Sequence, residues 1–187
     1  MPLRRTLFLV AAVSLLVALA ACNTVSGVFG NRVSFSQSQL QRHLDRNFPR
    51  AFDELGGLVS ATLSQPRLSI PAGDSRLRLD FDIRVTALGG SEVARGQFAM
   101  ASALRYDPAT RGLHLQSPEV LDIRIPGGGD LLRGGTRGLL NAVLADYAAQ
   151  EPIYRIDDDL LRRLPAGKRI GATAIEDGQV VVHLTGN

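Results

Sequence analysis

The chain has 187 residues, of which 21 are Lys or Arg and 18 are Asp or Glu, so its formal net charge is +3. It contains no basic cluster with interleaved aromatic residues, and nucleic acid is therefore not an expected partner. The length suffices for one domain with a substantial core, and a single cysteine, Cys22, excludes an internal disulfide.

The N-terminal segment has the pattern of an export signal. Arg4 and Arg5 precede an apolar run over residues 7–21, as in a secretory signal peptide. The run ends in Leu19-Ala20-Ala21-Cys22, which resembles the bacterial lipobox. That resemblance implies cleavage before Cys22 and lipid attachment to its thiol, which would anchor the chain to a membrane. The alternatives are an ordinary membrane helix or a plain signal peptide with a chance cysteine.

Processing at Cys22 sets the expected organisation of the chain. Residues 1–21 are the signal peptide, residues 22–32 a tether and residues 33–187 a single domain. Loss of Arg4 and Arg5 leaves 19 basic and 18 acidic residues, a net charge of +1. The apolar run is shorter than the ~20 residues of a spanning helix. By resemblance to enteric sorting rules, Asn23 after the cysteine favours the outer membrane, facing the periplasm.

A short strand and a capped helix are expected first in the domain. Residues 33–35 read as the strand, and Ser36 with Gln39 forms a capping-box pattern. Leu40, Leu44 and Phe48 then recur at helical spacing, and Pro49 ends the helix. We interpret residues 51–57 as a loop or a turn of helix.

Four consecutive strands follow, and the clearest covers residues 76–88. There Leu77, Leu79, Phe81, Ile83 and Val85 alternate with polar residues, which is typical of a strand with one apolar face. Residues 58–71, 92–106 and 113–125 have related patterns, so the sequence predicts an antiparallel meander. Pro66 predicts a bulge or an edge strand, and Ser117-Pro118 a bend.

A helix over residues 130–150 is expected after the meander. Its apolar side carries Leu140, Val143 and Tyr147, although glycines at 134, 135 and 138 weaken its first turns. Residues 153–156 can pair with the sheet, and Asp157 begins a short helix. Asp177-Gly178 predicts a C-terminal hairpin. The expected fold class is therefore α+β, with a long curved antiparallel sheet wrapped around one long helix.

No constellation of catalytic residues can be assembled, and we expect neither an enzyme nor a bound cofactor. His43, His114 and His183 lie in distant elements without zinc-ligand spacing. Residues 157–159 are three aspartates, but acidic residues suit a helix N-terminus, so no metal is expected. Asp80 and Asp82 alternate with arginines, which predicts a solvated row of ion pairs.

The apolar face of the sheet is the main functional signal. Four strands would present roughly 750 Å² of it, whereas the two helices would cover about 300 and 180 Å². One hypothesis is a binder of lipid or another apolar ligand; the alternative is a structural or assembly lipoprotein with a dry core that acts through protein contacts. Candidate lining residues for the first are Phe81, Ile83, Phe98, Met100, Leu140, Val143 and Tyr147.

The order of these elements resembles the YceB-like bacterial lipoproteins, a family of uncharacterised function. Val33-Ser34-Phe35-Ser36 leading into Leu40 and Leu44 is one matching point, and Pro152-Ile153-Tyr154 is the other. The family looks like a relative of tubular lipid-binding domains. The resemblance implies handling of lipid or a hydrophobic ligand at the cell envelope, with the membrane reached through the lipid on Cys22.

Overall fold

The computed structural model describes residues 28–54, 59–87, 90–126, 141, 144–145 and 148–186. These residues form two antiparallel sheets and two α-helices with defined ends. The strands are β1 (Val28–Phe29), β2 (Arg32–Ser36), β3 (Arg50–Glu54), β4 (Val59–Ser69), β5 (Leu77–Ala87), β6 (Glu92–Asp107), β7 (Gly112–Arg124), β8 (Tyr154–Arg155), β9 (Lys168–Glu176) and β10 (Gln179–Gly186), and the helices are α1 (Gln37–Asn47) and α2 (Asp158–Arg162).

The larger sheet has six strands in the order β3-β4-β5-β6-β7-β8 and curls into a half barrel. Its four central strands are the expected meander, with ends within two residues of the predicted ones. Pro66 lies at a bulge, because the pairing of β4 with β5 shifts between Ser64 and Arg67. The bend at Ser117 is confirmed by its φ of 51° and by a register shift between Ala101 and Ala103.

The smaller sheet has the order β1-β2-β10-β9 and lies beside the half barrel, where β9 contacts β6. Its hairpin turns at Asp177 and Gly178, whose φ angles of 49° and 72° are those of the predicted hairpin turn. β10 also pairs with β2, with Val180 opposite Phe35 and Val182 opposite Val33. These four side chains are buried, so the two chain ends of the domain share one core.

The expected fold class is wrong. The protein is mostly β, and its described residues contain no long α-helix. α1 has 11 residues and α2 has 5. Two strands were missed, β1 and β3, because each is too short to show an alternating pattern and forms through pairing with its neighbour. The predicted helix over residues 130–150 lies mostly outside the described residues; residues 144–145 and 148–150 are helical.

α1 forms as the sequence predicts. The Ser36 Oγ accepts a hydrogen bond from the Gln39 N–H at 3.3 Å, and the Gln39 Oε1 accepts one from the Ser36 N–H at 2.7 Å. Leu40 and Leu44 are buried, and Phe48 caps the C-terminus. The helix packs on β4, β2 and β8, so its last turn lies over the concave side of the half barrel.

Two polar side chains hold the helical residues near 141–150 against β7. The Asn141 Oδ1 accepts a hydrogen bond from the Val120 N–H at 2.8 Å. His114 is fully buried, with its Nδ1 3.0 Å from the Ala148 carbonyl oxygen and its Nε2 2.7 Å from the Thr110 hydroxyl. Leu144, which lies between these two contacts in the chain, faces the concave side of the sheet.

The outer face of the half barrel carries the expected row of ion pairs. Arg78 binds Asp80 at 2.7 Å, and Arg67 binds Asp82 at 3.2 Å. The hydrogen bond from Arg78 is the main reason that the pKa of the Asp80 carboxyl is lowered. This solvated face accounts for the charged half of the alternating pattern.

Candidate cavity on the concave face of the sheet

A cavity of about 820 Å³ lies between the concave face of the half barrel, the end of α1 and residues 151–155. This volume falls in the range of roughly 300–1,000 Å³ that is typical of small-molecule sites. Most of the lining is apolar and comes from β3 to β7 and Leu144. The lining includes Leu44, Phe48, Phe52, Ala61, Leu63, Leu79, Phe81, Ile83, Phe98, Met100, Leu115, Ile123, Leu144, Pro152 and Ile153.

Strand register aligns the apolar side chains in rows across the sheet. Phe81 of β5 pairs with Phe98 of β6, which pairs with Ile123 of β7. Leu63 of β4 pairs with Ile83 of β5. Because side chains alternate along a strand, these paired positions all project from the concave face.

The cavity has a buried floor and half-exposed walls. Phe81, Phe98 and Met100 are 3%, 6% and 3% exposed, so they form the floor. The side chains with more free surface are Phe52, Leu63, Ile83, Ile123 and Leu144, which are all partly buried. A bound molecule would therefore touch these wall residues first.

Three aromatic rings form a continuous line along the floor. The Phe48 and Phe81 ring centroids are 5.1 Å apart, and those of Phe81 and Phe98 are 6.2 Å apart. Such spacing is within the range of favourable aromatic contacts. The line joins the C-terminus of α1 to β5 and β6.

The structure brings together four of the residues expected to line a ligand site, namely Phe81, Ile83, Phe98 and Met100. Their role in binding stays a prediction. The other candidates, Leu140, Val143 and Tyr147, lie outside the residues that can be described, as does Cys22, the predicted lipidation site.

Sequence reasoning missed the walls that come from outside the meander. Phe52 lies in β3, where it pairs with Ala61, and Phe48 turns into the cavity at the end of α1. A single phenylalanine in a five-residue segment carries no periodic signal. Its position becomes clear only once β3 pairs with β4.

Charged residues lie along one side of the cavity, and we call this set the charged seam: Arg46, Arg50, Glu151 and Arg155. The Arg50 Nη2 is 3.8 Å from the Glu151 Oε2. Arg50 belongs to β3, the first strand of the half barrel, whereas Glu151 and Arg155 belong to the segment that contains its last strand, β8. The ion pair therefore joins the two edges of the curled sheet.

His43 is half-buried beside the charged seam. Its ring centroid is 4.9 Å from that of Tyr154. Burial lowers the pKa of His43, and the charges of Arg46 and Arg155 lower it further, while Asp157 opposes the shift. Burial also raises the pKa of the Tyr154 hydroxyl. The imidazole is therefore neutral at neutral pH.

Within the described residues, no group of three or more His, Cys, Asp or Glu side chains is placed to hold a metal ion. Among those same residues, none of the helices is both long and apolar enough to cross a membrane. The described polar groups of the cavity are arginines, a histidine, an asparagine and a glutamate around an apolar space.

Comparison with known proteins gives one family. The family described as protein of unknown function (DUF1439) matches residues 35–179, which run from β2 to the start of β10 and include every lining residue named above. No curated protein matches the chain.

Proposed function

The chain belongs to this DUF1439 family, which has no assigned activity, and we propose that the protein is a lipid-anchored protein of the bacterial envelope that binds lipid or another hydrophobic ligand. The observation that carries this proposal is the cavity of about 820 Å³ with its apolar floor and walls.

The size and chemistry of the cavity support a ligand rather than a dry core. An apolar space of this volume leaves the surrounding side chains without packing partners, which lowers stability unless something fills the space. Each buried methylene of a ligand would contribute about 0.8 kcal/mol. An acyl chain against Phe52, Leu63, Ile83 and Ile123 would therefore bind favourably.

Native mass spectrometry of the full chain purified from cells in detergent tests this proposal. We expect an adduct of one lipid-sized molecule per chain, released on collisional activation. Ala61→Trp, which places a large ring in the cavity wall, should remove the adduct. Gln97→Trp is the matched control, because it introduces the same side chain at an exposed position of β6 outside the cavity.

If the unsubstituted chain carries no adduct and shows the same adduct-free spectrum as Ala61→Trp, the proposal of ligand binding is wrong. That result would favour the alternative, a structural or assembly lipoprotein acting through protein contacts.

We also propose that the chain is a YceB-like lipoprotein with lipid on Cys22, held in the outer membrane and facing the periplasm. The lipobox-like residues 19–22 and Asn23 support this assignment. Labelling of cells with an alkyne fatty acid should mark the chain, and Cys22→Ser should lose the label. Retention of label by Cys22→Ser would refute lipidation at this residue.

A further inference from the structure

The cavity is amphipathic, with its charges confined to one side. Its apolar floor and walls come mainly from β4 to β7, with Phe48 and Phe52 added from α1 and β3, whereas its charged lining residues all come from α1, β3 and residues 151–155. Among the described lining residues, three arginines stand against one glutamate. A fully apolar ligand would offer no partner to these charged groups.

The charges of the seam are not equivalent. Arg50 and Glu151 bind each other at 3.8 Å across the two edges of the sheet, so one positive charge is balanced. Arg46 and Arg155 have exposed guanidinium groups, and neither forms an ion pair with a carboxylate of the described chain. Within the part of the chain that the structure describes, the Arg155 Nη1 donates to the Thr110 carbonyl oxygen, at 3.5 Å.

Arg46 and Arg155 lie on two elements that pack together at the edge of the cavity. Arg46 is in the last turn of α1 and Arg155 is in β8, and the His43 ring of α1 is 4.9 Å from the Tyr154 ring of β8. Both arginines line the cavity, and the Asp157 carboxylate opposes their effect on His43. Two guanidinium groups on one side of an apolar space match a carboxylate or phosphate group, because guanidinium forms strong charge-assisted hydrogen bonds to both.

We propose that the cavity binds an anionic amphiphile, with its carboxylate or phosphate head at Arg46 and Arg155 and its acyl chain against Phe52, Leu63 and Ile83. This inference rests on the proposed function, and it adds the class of ligand and its orientation. The head of the ligand lies at the charged seam, between the edges of the half barrel, and its acyl chain points toward the floor of the cavity.

A tryptophan reporter tests the inference in the full chain kept in solution with amphipol. Phe52→Trp places a unique tryptophan in the cavity wall, since the chain has none of its own. Phe52 is half-buried, so the larger ring can be accommodated. Bromine on an acyl chain quenches tryptophan fluorescence on contact. Gln97→Trp, on the outer face of β6, is the background control. It measures quenching by probe molecules that associate with the lipid anchor or the amphipol and not with the cavity.

The probes differ only in their heads: brominated stearate, the corresponding lysophosphatidic acid and the corresponding neutral alcohol. We expect both anionic probes to quench Phe52→Trp at concentrations roughly tenfold to a hundredfold lower than the alcohol. Inorganic phosphate alone should not displace the anionic probes, because the acyl chain of each probe supplies most of its affinity. If it does displace them, the seam is a phosphate site and the amphiphile assignment is wrong.

Arg46→Gln combined with Arg155→Gln should remove most of the preference for the anionic probes while leaving binding of the alcohol unchanged. Arg42→Gln combined with Arg163→Gln is the matched control, because both arginines are exposed and neither lines the cavity. The preference should also shrink at high salt.

The outcomes separate the two proposals. Equal quenching by all three probes, unaffected by the seam substitutions, overturns the anionic-head inference and leaves apolar binding intact. If no probe quenches Phe52→Trp more strongly than Gln97→Trp, both the anionic-head inference and the proposal of apolar binding are wrong.

Discussion

Gln41 shows how a single side chain joins two elements of this fold. Its Nε2 donates to the Pro66 carbonyl oxygen at 2.6 Å, and its Oε1 accepts from the Leu68 N–H at 2.7 Å. Pro66 lies in the bulge of β4, where Gln65 has a φ of 49° and strand pairing is interrupted, and Leu68 follows directly after it. The side-chain amide of Gln41, in α1, thus forms hydrogen bonds with backbone groups that the sheet leaves unpaired.

Gln41→Ala is expected to lower the free energy of unfolding by about 2 kcal/mol, because it leaves the N–H of buried Leu68 without a partner. Urea unfolding measures this difference. Asp45→Ala is the control, since Asp45 only accepts a hydrogen bond from Gln41 on the exposed side of α1. Its effect should stay within about 0.5 kcal/mol. Equal losses in the two variants would show that the bulge contact is unimportant.

His43 makes stability depend on pH. Its pKa is lowered from 6.5 by burial and by Arg46 and Arg155, with Asp157 opposing them. The folded chain therefore binds this proton less tightly than the unfolded chain. The stability that this difference provides is present above about pH 6.5 and is lost as the pH falls through the lower pKa of the folded state.

We expect His43→Gln to flatten the pH dependence of stability between about pH 5 and 7, because glutamine does not titrate. Urea midpoints measured across this interval test the expectation. A slope that is the same with and without His43 would contradict it.

At the scale of elements, the end of β7 approaches β6 closely. A Cβ atom added to Gly96 of β6 would lie 2.0 Å from the Arg124 carbonyl oxygen and 2.9 Å from the Ile125 Cγ1. Gly96 faces the concave side, since it lies two residues before Phe98 on the same strand. The backbone at the end of β7 therefore lies directly against Gly96, and no larger residue fits there.

Gly96→Ala should lower the free energy of unfolding by about 3 kcal/mol, because the added methyl group forces β7 away from β6. The amide of Arg124 should exchange faster with solvent in this variant. Ala94→Ser, two residues earlier on the same strand, is the control and should change stability by less than about 0.5 kcal/mol. A wild-type unfolding midpoint for Gly96→Ala would show that the two strands are not in tight contact.

For the whole molecule, the half barrel leaves a space that its own side chains do not fill. Alternation places one apolar face on each central strand, and the curl of the sheet turns these faces toward a common interior. The Arg50–Glu151 pair then joins the two edges. The cavity is thus a property of the curled sheet as a whole.

The cavity predicts unusual tolerance to a large substitution. Ala61→Trp should change the free energy of unfolding by less than about 1 kcal/mol, because Ala61 borders free space, whereas the same change in a packed core costs roughly 1–3 kcal/mol. Thermal and urea unfolding of Ala61→Trp beside Gln97→Trp provide the comparison. A large loss confined to Ala61→Trp would mean that this wall is packed.

Local patterns in the sequence determined the elements whose signals are short-range. The capping box at Ser36 and Gln39, the alternation over β5 and the turn at Asp177-Gly178 each depend on residues a few positions apart, and all three formed as expected. The same alternation identified Phe81, Ile83, Phe98 and Met100 as residues of one apolar face.

Only the tertiary structure decided how that face is covered and where charge meets it. The expected fold class was wrong because the described residues contain no long helix, and because β2 and β10, from opposite ends of the domain, pair within a second sheet. Arg50 and Glu151 are a hundred positions apart, yet they meet at the seam. No short-range pattern records such a contact, because it depends on the curl of the sheet and not on neighbouring residues.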